Sequence, residues 1–421
     1  MTNKLEILIL DDNEDSASRN EQRIKDACES VGVNVSVRYM DAARKSALIA
    51  AIERFGADGV SSEPHAPIGS LTDLDGVDVL FIDYQLKTLK DHAWLTAEDL
   101  AGWIRAYSEV PAIGILNRFF DVDFDLSMQI ATSLTSSDFH LNDRLLDLAA
   151  LWQEPTGAVP VKSSFHPWSW PLVPRLVTDI RQCRDELEAV DLSQPILPWL
   201  GFSDQDIPQL TIHALGFLDP TSTSPGGATF QQFFTEGRIA ISKELRAGLI
   251  AALDQGDEAI RIEVRRIIAR VLVSELRRWL STLVLTTQDV LIDAPHLGHR
   301  MPWTVREPEN QDKWQWLANH RYSESLVEQV SPHRFEKQHW VSRPVYWVSK
   351  VQGDEVLDGL YRDFPAPEKN FVFVEDFSCF VEQELADAFQ PAFESVWPTR
   401  YVLAESVMSW GYKYAPKVRL I

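Results

Sequence analysis

Long apolar runs are missing from this 421-residue chain. No stretch reaches the roughly 18–20 uninterrupted apolar residues that a membrane-spanning helix needs. Cysteine is scarce: Cys28, Cys183 and Cys379 stand far apart, which excludes both a metal-ligand spacing and an even-numbered disulfide framework. Positive charge is in deficit, with 40 Lys and Arg against 62 Asp and Glu and a net charge of −22. That balance repels polyanions, so neither nucleic acid nor an anionic membrane is expected as a general partner. No repeat of roughly 20–50 residues is evident. SPGGAT (224–229) lacks the following GK[ST] of a P-loop, and no serine nucleophile elbow or DNA-reading helix-turn-helix stands out. The opening MTNKLEILIL has one lysine and passes straight into a strand pattern, unlike a secretory leader. The expectation is an acidic, cytoplasmic, multi-domain protein.

What is present is ordinary globular material, 45% hydrophobic and 24% charged. The length is too great for one ordinary core. LEILIL (5–10) reads as a buried strand and 14–30 as an amphipathic helix. VNVSVRY (33–39) is a strand of period two, and 41–56 is a helix ending at Gly56. The turn-forming stretch to Gly76 is a loop, followed by the apolar strand VDVLFID (77–83), a helix over 96–107 and the strand PAIGIL (111–116). A fifth strand is placed near SDFHLN (137–142), with a closing helix over 172–190. Apolar strands alternating with helices imply an α/β fold, a parallel sheet covered on both faces. DLSQPILPW (191–199) supplies two prolines, so a boundary is expected there, between a domain over 1–190 and a C-terminal α+β domain over 200–421. In the second part 257–285 reads as one long helix, and 344–351 and 370–377 as strand candidates. Ile260, Val264, Ile267, Ile268, Val271 and Leu272 form that helix's apolar face, with Arg261, Arg265, Arg266 and Arg277 around the others.

Asp11 and Asp12 stand side by side at the end of the first strand, and Asp83 ends the third. Two readings compete for the pair. One is a metal site, because adjacent carboxylates repel unless a cation offsets them. The other is a strand end followed by a helix capped by Asp12 or Asn13. In a doubly wound sheet, ligands gather outside the carboxyl ends of the strands. With strand order 2-1-3-4-5 the first and third strands are neighbours, so all three carboxylates share one pocket suited to Mg²⁺.

ILILDDNED, VDVLFIDYQL and VPAIGIL resemble the receiver domain of bacterial response regulators in two-component systems, over roughly residues 1–190. The resemblance implies that Asp11 and Asp12 bind Mg²⁺ and that the backbone carbonyl of Gln85 is a further metal ligand. Asp83 would accept a phosphoryl group from the phosphohistidine of a cognate histidine kinase. Where receivers carry a Thr or Ser after strand four, this chain has Leu116 or Asn117. Where they carry a lysine after strand five, it has Asn142, and Lys162 would substitute only if the strand assignment shifted.

The C-terminal part shows no recognisable output domain. The overall architecture resembles, more loosely, the receiver proteins of Detocs-type phage-defence phosphorelays. That resemblance implies antiviral defence, a phosphate sink and a second receiver-containing effector as a further partner. The expected role is that of a phosphoprotein, not an enzyme. Two alternatives stand beside it: a degenerate receiver used as an interaction scaffold, and a regulator of a C-terminal enzyme built around His296, His299 and Glu375–Asp376. DAPHLGHR (293–300) has metal-like spacing but no HExxH, and its Pro295 and Gly298 read as a loop. FHPWSWP (165–171) and QDKWQWLANHRY (311–322) read as packing clusters, given the acidic charge.

Overall fold

Successive side chains of a strand point to opposite faces, and in LEILIL both faces find a partner. The computed structural model describes residues 4–57, 71, 74–86, 96–116, 136–154, 165–220, 226–306, 313–322, 326–362, 370–389 and 400–403. Lys162 and Asn117 fall outside these residues, as does most of the expected loop before Gly76. Strands β1 (Leu5–Leu10), β2 (Val35–Tyr39), β3 (Val79–Asp83), β4 (Ala112–Leu116) and β5 (Phe139–Leu141) form a sheet in the order β2-β1-β3-β4-β5. Every pairing in it is parallel. Ile7, Ile9, Val79 and Phe81 pack with Ile24 and Ala27 of helix α1 (Glu14–Ser30) and with Leu176 and Ile180 of helix α4 (Val173–Glu188). Leu8, Leu10, Leu80 and Ile82 face the other way. They meet Leu48 and Ile52 of α2 (Ala42–Ala57) and Leu100 and Ile104 of α3 (Ala97–Tyr107). Helices thus cover both faces, as buried parallel strands require.

Gly114 lets β5 close the sheet. A Cβ at this position would sit 2.5 Å from the Phe139 ring and 3.1 Å from Phe81. The two aromatic rings then meet edge to face, 6.0 Å apart.

The C-terminal region is built from helices and two smaller sheets. Helices α5 (Lys243–Gln255) and α6 (Glu258–Trp279) pack together, and α6 also lies against α3 and α4. Strands β6 (Leu291–Asp293) and β7 (Val345–Trp347) pair antiparallel. Strands β8 (Phe371–Val374), β9 (Cys379–Glu382), β10 (Ala386–Phe389) and β11 (Arg400–Leu403) form a mixed sheet in the order β10-β11-β8-β9. Among the described residues no helix is long and apolar enough to cross a membrane.

Several local expectations are corrected. The α-helix expected over 257–285 stops at Trp279 and continues as a π-type turn over Leu280–Val284. The candidate strands at 344–351 and 370–377 are shorter, ending at Trp347 and Val374. DAPHLGHR is not a loop but carries helix α7 (Ala294–Arg300), because Asp293 caps it and Pro295 falls in the first turn, where no amide donor is needed. Arg277, placed off the apolar face of the 257–285 helix, is also buried.

Three further buried arginines tie these layers together at the turn between α3 and β4. Arg184 of α4 donates to the carbonyls of Glu109 (2.9 Å) and Val110 (2.7 Å). Arg270 of α6 donates to the Ala106 carbonyl (2.9 Å) and pairs with Glu109. Arg105 donates to the Pro111 carbonyl (2.7 Å) and to Asp138 (2.6 Å). Cations beside the carbonyl end of a helix are favourable, and buried carbonyls left without donors are costly. Arg184→Ala is therefore expected to lower unfolding free energy by about 3 kcal/mol. Arg265→Ala, on the exposed side of α6, should change it by less than about 0.5 kcal/mol. Urea titration of both variants checks the contrast.

Candidate functional site: three carboxylates at the strand ends

Chain order and sheet order together bring Asp11, Asp12 and Asp83 to the same place. β1 and β3 are hydrogen-bonded neighbours, with Leu10 opposite Ile82, so their carboxyl ends emerge side by side. Carboxylate oxygens of the three residues lie within 4.8 Å of one another. Asp11 and Asp83 are buried and Asp12 is half-buried. The two readings of the opening motif prove compatible. Asn13, not Asp12, caps α1 by accepting from the Ser16 amide at 3.0 Å, while Asp11 accepts from the Asn13 amide at 2.8 Å. Like charge crowded at this depth is costly unless a proton or cation is shared, and a group of hard oxygens suits a metal ion. The donor set therefore fits a divalent cation.

The surroundings sort the remaining candidates. Gln85 follows two residues after Asp83 on the chain leaving β3, and Tyr84 donates its amide to the Leu116 carbonyl at 2.8 Å. Leu116 sits opposite Asp83 in the β3–β4 register and is fully buried, so this position offers an apolar side chain and no hydroxyl. After β5 stands Asn142, also buried, whose carbonyl oxygen accepts from the Arg144 amide at 3.0 Å and caps a short 3₁₀ turn. Lys45 is a neighbour that the sequence pattern gave no reason to single out. From the first turns of α2 its ammonium reaches the Asp11 backbone carbonyl at 2.8 Å.

Beneath the strand ends, His140 of β5 touches both Glu98 and Ser137. Both of these contacts use Nε2. Glu98 also accepts from the Ser136 and Ser137 amides at 2.9 and 3.1 Å, which makes it a tether for the start of β5.

The C-terminal candidates also meet. His296 lies between Asp293, on its Nδ1, and Glu375, 2.9 Å from its Nε2; Arg400 in turn pairs with Glu375 at 3.0 Å. Burial opposes the charged imidazole, but the two carboxylates outweigh it and the His296 pKa is raised. With both nitrogens engaged, His296 is not placed to bind a metal. His299 does not join the group as a cation, because burial pushes its pKa down to about 4. Asp376 accepts from the Leu403 amide at 3.1 Å. Among the described residues the aspartate trio is the cluster with metal-binding geometry.

Neither protein-family models nor curated proteins nor solved structures gave a match to this chain.

Two expectations follow from this geometry. Binding of a cation to the folded state alone stabilises it, by about 2.7 kcal/mol at a hundred times Kd. Millimolar Mg²⁺ should therefore raise the melting temperature, and an Asp11→Ala, Asp12→Ala double variant should lose that rise. Equal rises in both proteins would assign the effect to screening of the net charge.

For the His296 cluster, a raised histidine pKa stabilises below the unfolded value and that contribution disappears as pH climbs through the folded one. Desolvation works against Asp293, yet His296 and nearby arginines lower its pKa overall, so its contribution disappears on acidification. Stability should be greatest between the ordinary carboxylate and ordinary histidine ranges and decline as pH climbs toward the elevated His296 value. His296→Gln should flatten the alkaline decline in urea midpoints measured across pH.

Proposed function

We propose that the N-terminal half is a receiver domain of a phosphorelay, in which Asp83 accepts a phosphoryl group from a histidine kinase. The observation that carries this reading is the convergence of Asp11, Asp12 and Asp83 at the carboxyl ends of adjacent parallel strands. Asp11, Asp12 and Asp83, with the backbone carbonyl of Gln85, would hold Mg²⁺, whose charge offsets that of the phosphoryl oxygens. An Asp83 carboxylate oxygen attacks phosphorus as the P–N bond to the donor histidine breaks. The imidazole nitrogen keeps the bonding pair and takes a proton, and Asp83 becomes an acyl phosphate. Lys45 brings positive charge to the same end of the sheet and steadies the Asp11 loop.

The finer reading is a phosphate sink. A ligand shifts a conformational equilibrium only as far as it interacts differently with the two states. Leu116 and Asn142 supply neither the hydroxyl nor the ammonium through which a phosphoryl group would draw in strands four and five. The chain is then a stoichiometric acceptor that takes signal from the kinase and competes with a second receiver-containing effector. A setting in phage defence is supported by the resemblance of the architecture.

Incubation with acetyl phosphate and Mg²⁺ should add roughly 80 Da, one phosphoryl group, by this nucleophilic chemistry. Asp83→Asn should abolish the addition and Asp12→Asn should weaken it. Full labelling of Asp83→Asn would refute the assignment of the acceptor. In hydrogen exchange, the phosphorylated protein should change only in the loops after β1 and β3. Large changes along α6 would replace the sink with a conformational output.

A further inference from the structure

A second polar site lies away from the aspartates, where the start of β5 meets the C-terminal region. A cavity of about 130 Å³ opens between Asp138 and Phe139, the first turn of α4, α6, and the segment Val341–Arg343. A single ordered water needs roughly 10–15 Å³ of such space, so this volume holds a small molecule.

Its wall is unusual for a chain with a net charge of −22: Arg277, Arg278, Arg343 and Arg400 all contribute to it. Two of the four have carboxylate partners, Arg278 with Glu275 and Arg400 with Glu375. Arg277 donates to the His339 carbonyl and, at 2.7 Å, to the Ser342 hydroxyl, and forms no ion pair among the described residues. Arg343 has neither a hydrogen bond nor an ion pair among them, and its Nε is buried without an acceptor. The carboxylate that acts on it most strongly, Asp293, is also bonded to His296, and Glu375, which acts on it less, pairs with Arg400. The acid in the wall, Asp138, is committed to Arg105 and to the Ile113 amide at 2.7 Å. Among the described residues neither Arg277 nor Arg343 has a carboxylate in ion-pair contact, and the Asp293 and Glu375 carboxylates that act on Arg343 are shared with His296 and Arg400. Charge held in a protein interior without a partner is costly, so the missing partner is one the protein takes from solution.

Other features point the same way. Helix α4 begins just after Leu172 of the wall, its N-cap, with no side-chain cap, so the positive end of its dipole lies at this region. The wall residues Trp168, Ser169 and Trp170 each carry a buried donor without an acceptor among the described residues. Leu172, Leu176 and Val341 add an apolar side.

We propose that this cavity is a binding site for a small phosphate monoester, its phosphoryl group held by Arg343 and Arg277 and its organic part against Leu176 and Val341. Two unpaired guanidiniums match the two charges of a phosphate monoester dianion, and forked donors suit its several oxygens. The site is independent of Asp83 and of phosphoryl transfer there.

Calorimetric titration of the full chain in EDTA, with inorganic phosphate, phenyl phosphate and benzoate as probes, tests this. Removing divalent cations keeps phosphate from the aspartate cluster. Saturable binding is expected for phosphate, tighter for phenyl phosphate and at least tenfold weaker for benzoate. Asp83→Asn should bind as the wild type does, and Arg343→Gln should lose at least tenfold in affinity for phenyl phosphate. No saturable heat, equal affinity of benzoate, or unchanged affinity in Arg343→Gln overturns the proposal. Should circular dichroism show Arg343→Gln misfolded, hydrogen exchange on the wild type with phenyl phosphate decides. Protection over 168–176 and 341–343 supports the site, and protection elsewhere overturns it.

Discussion

The rest of the structure depends on where a cation-poor chain puts its guanidiniums. Apart from His296, the buried cations among the described residues are arginines: Arg105, Arg184, Arg246, Arg270, Arg277, Arg321 and Arg400. A planar, multiply donating, weakly hydrated group tolerates the interior better than a lysine ammonium. Several of these arginines bond backbone carbonyls as well as carboxylates. Arg246 alone reaches the carbonyls of Phe234, Thr235 and Gly237. Acidic charge stays largely at the surface, while the scarce positive charge closes the turns and helix ends on which the layers stack.

Against that background the aspartate trio is an exception: acidic charge gathered at one end of the sheet, where the Lys45 ammonium reaches the Asp11 carbonyl. The cavity by β5 is the reverse, cationic charge gathered without enough acid. Both concentrate charge of one sign, and a counter-ion from solution would restore balance in each. Local inconsistency of this kind is expected where a chain has been shaped for a ligand rather than for stability alone.

Much of the first half was legible because its signals are local. Alternation in LEILIL, the apolar run VDVLFID and the helical spacing between them each lie within a dozen residues, and the buried pattern follows them. The meeting of Asp11, Asp12 and Asp83 was legible because one further step, strand order, brings them together. His296 and Glu375 were both noted, but nothing in the sequence aligned His296 between Asp293 and Glu375, since β8 finds α7 only through tertiary packing. DAPHLGHR was misread for a different reason: proline and glycine were weighed as breakers, without regard to position within a first turn. Helical periodicity sets Arg277 off the apolar face, and it cannot foresee that a second layer, around His339 and Ser342, covers that face of α6. The two arginines of the cavity wall without carboxylates were invisible for a similar reason, because an unpaired charge is defined by what surrounds it in space.

One apolar cluster runs without a break from Ile7 and Phe81 beneath the N-terminal sheet, through Leu176 and Ile180, to Val264, Leu272 and Trp279 of α6. A parallel sheet covered by its own helices is a unit that recombination could move as a cassette from one protein to another. Here the face that such a cassette would carry to a new host is already committed to α4, and beyond α4 to α6. Exchange of either half would strand apolar surface on both sides of the cut. This lineage should therefore diversify by gradual substitution along the shared core rather than by shuffling, its two halves inherited together as one unit.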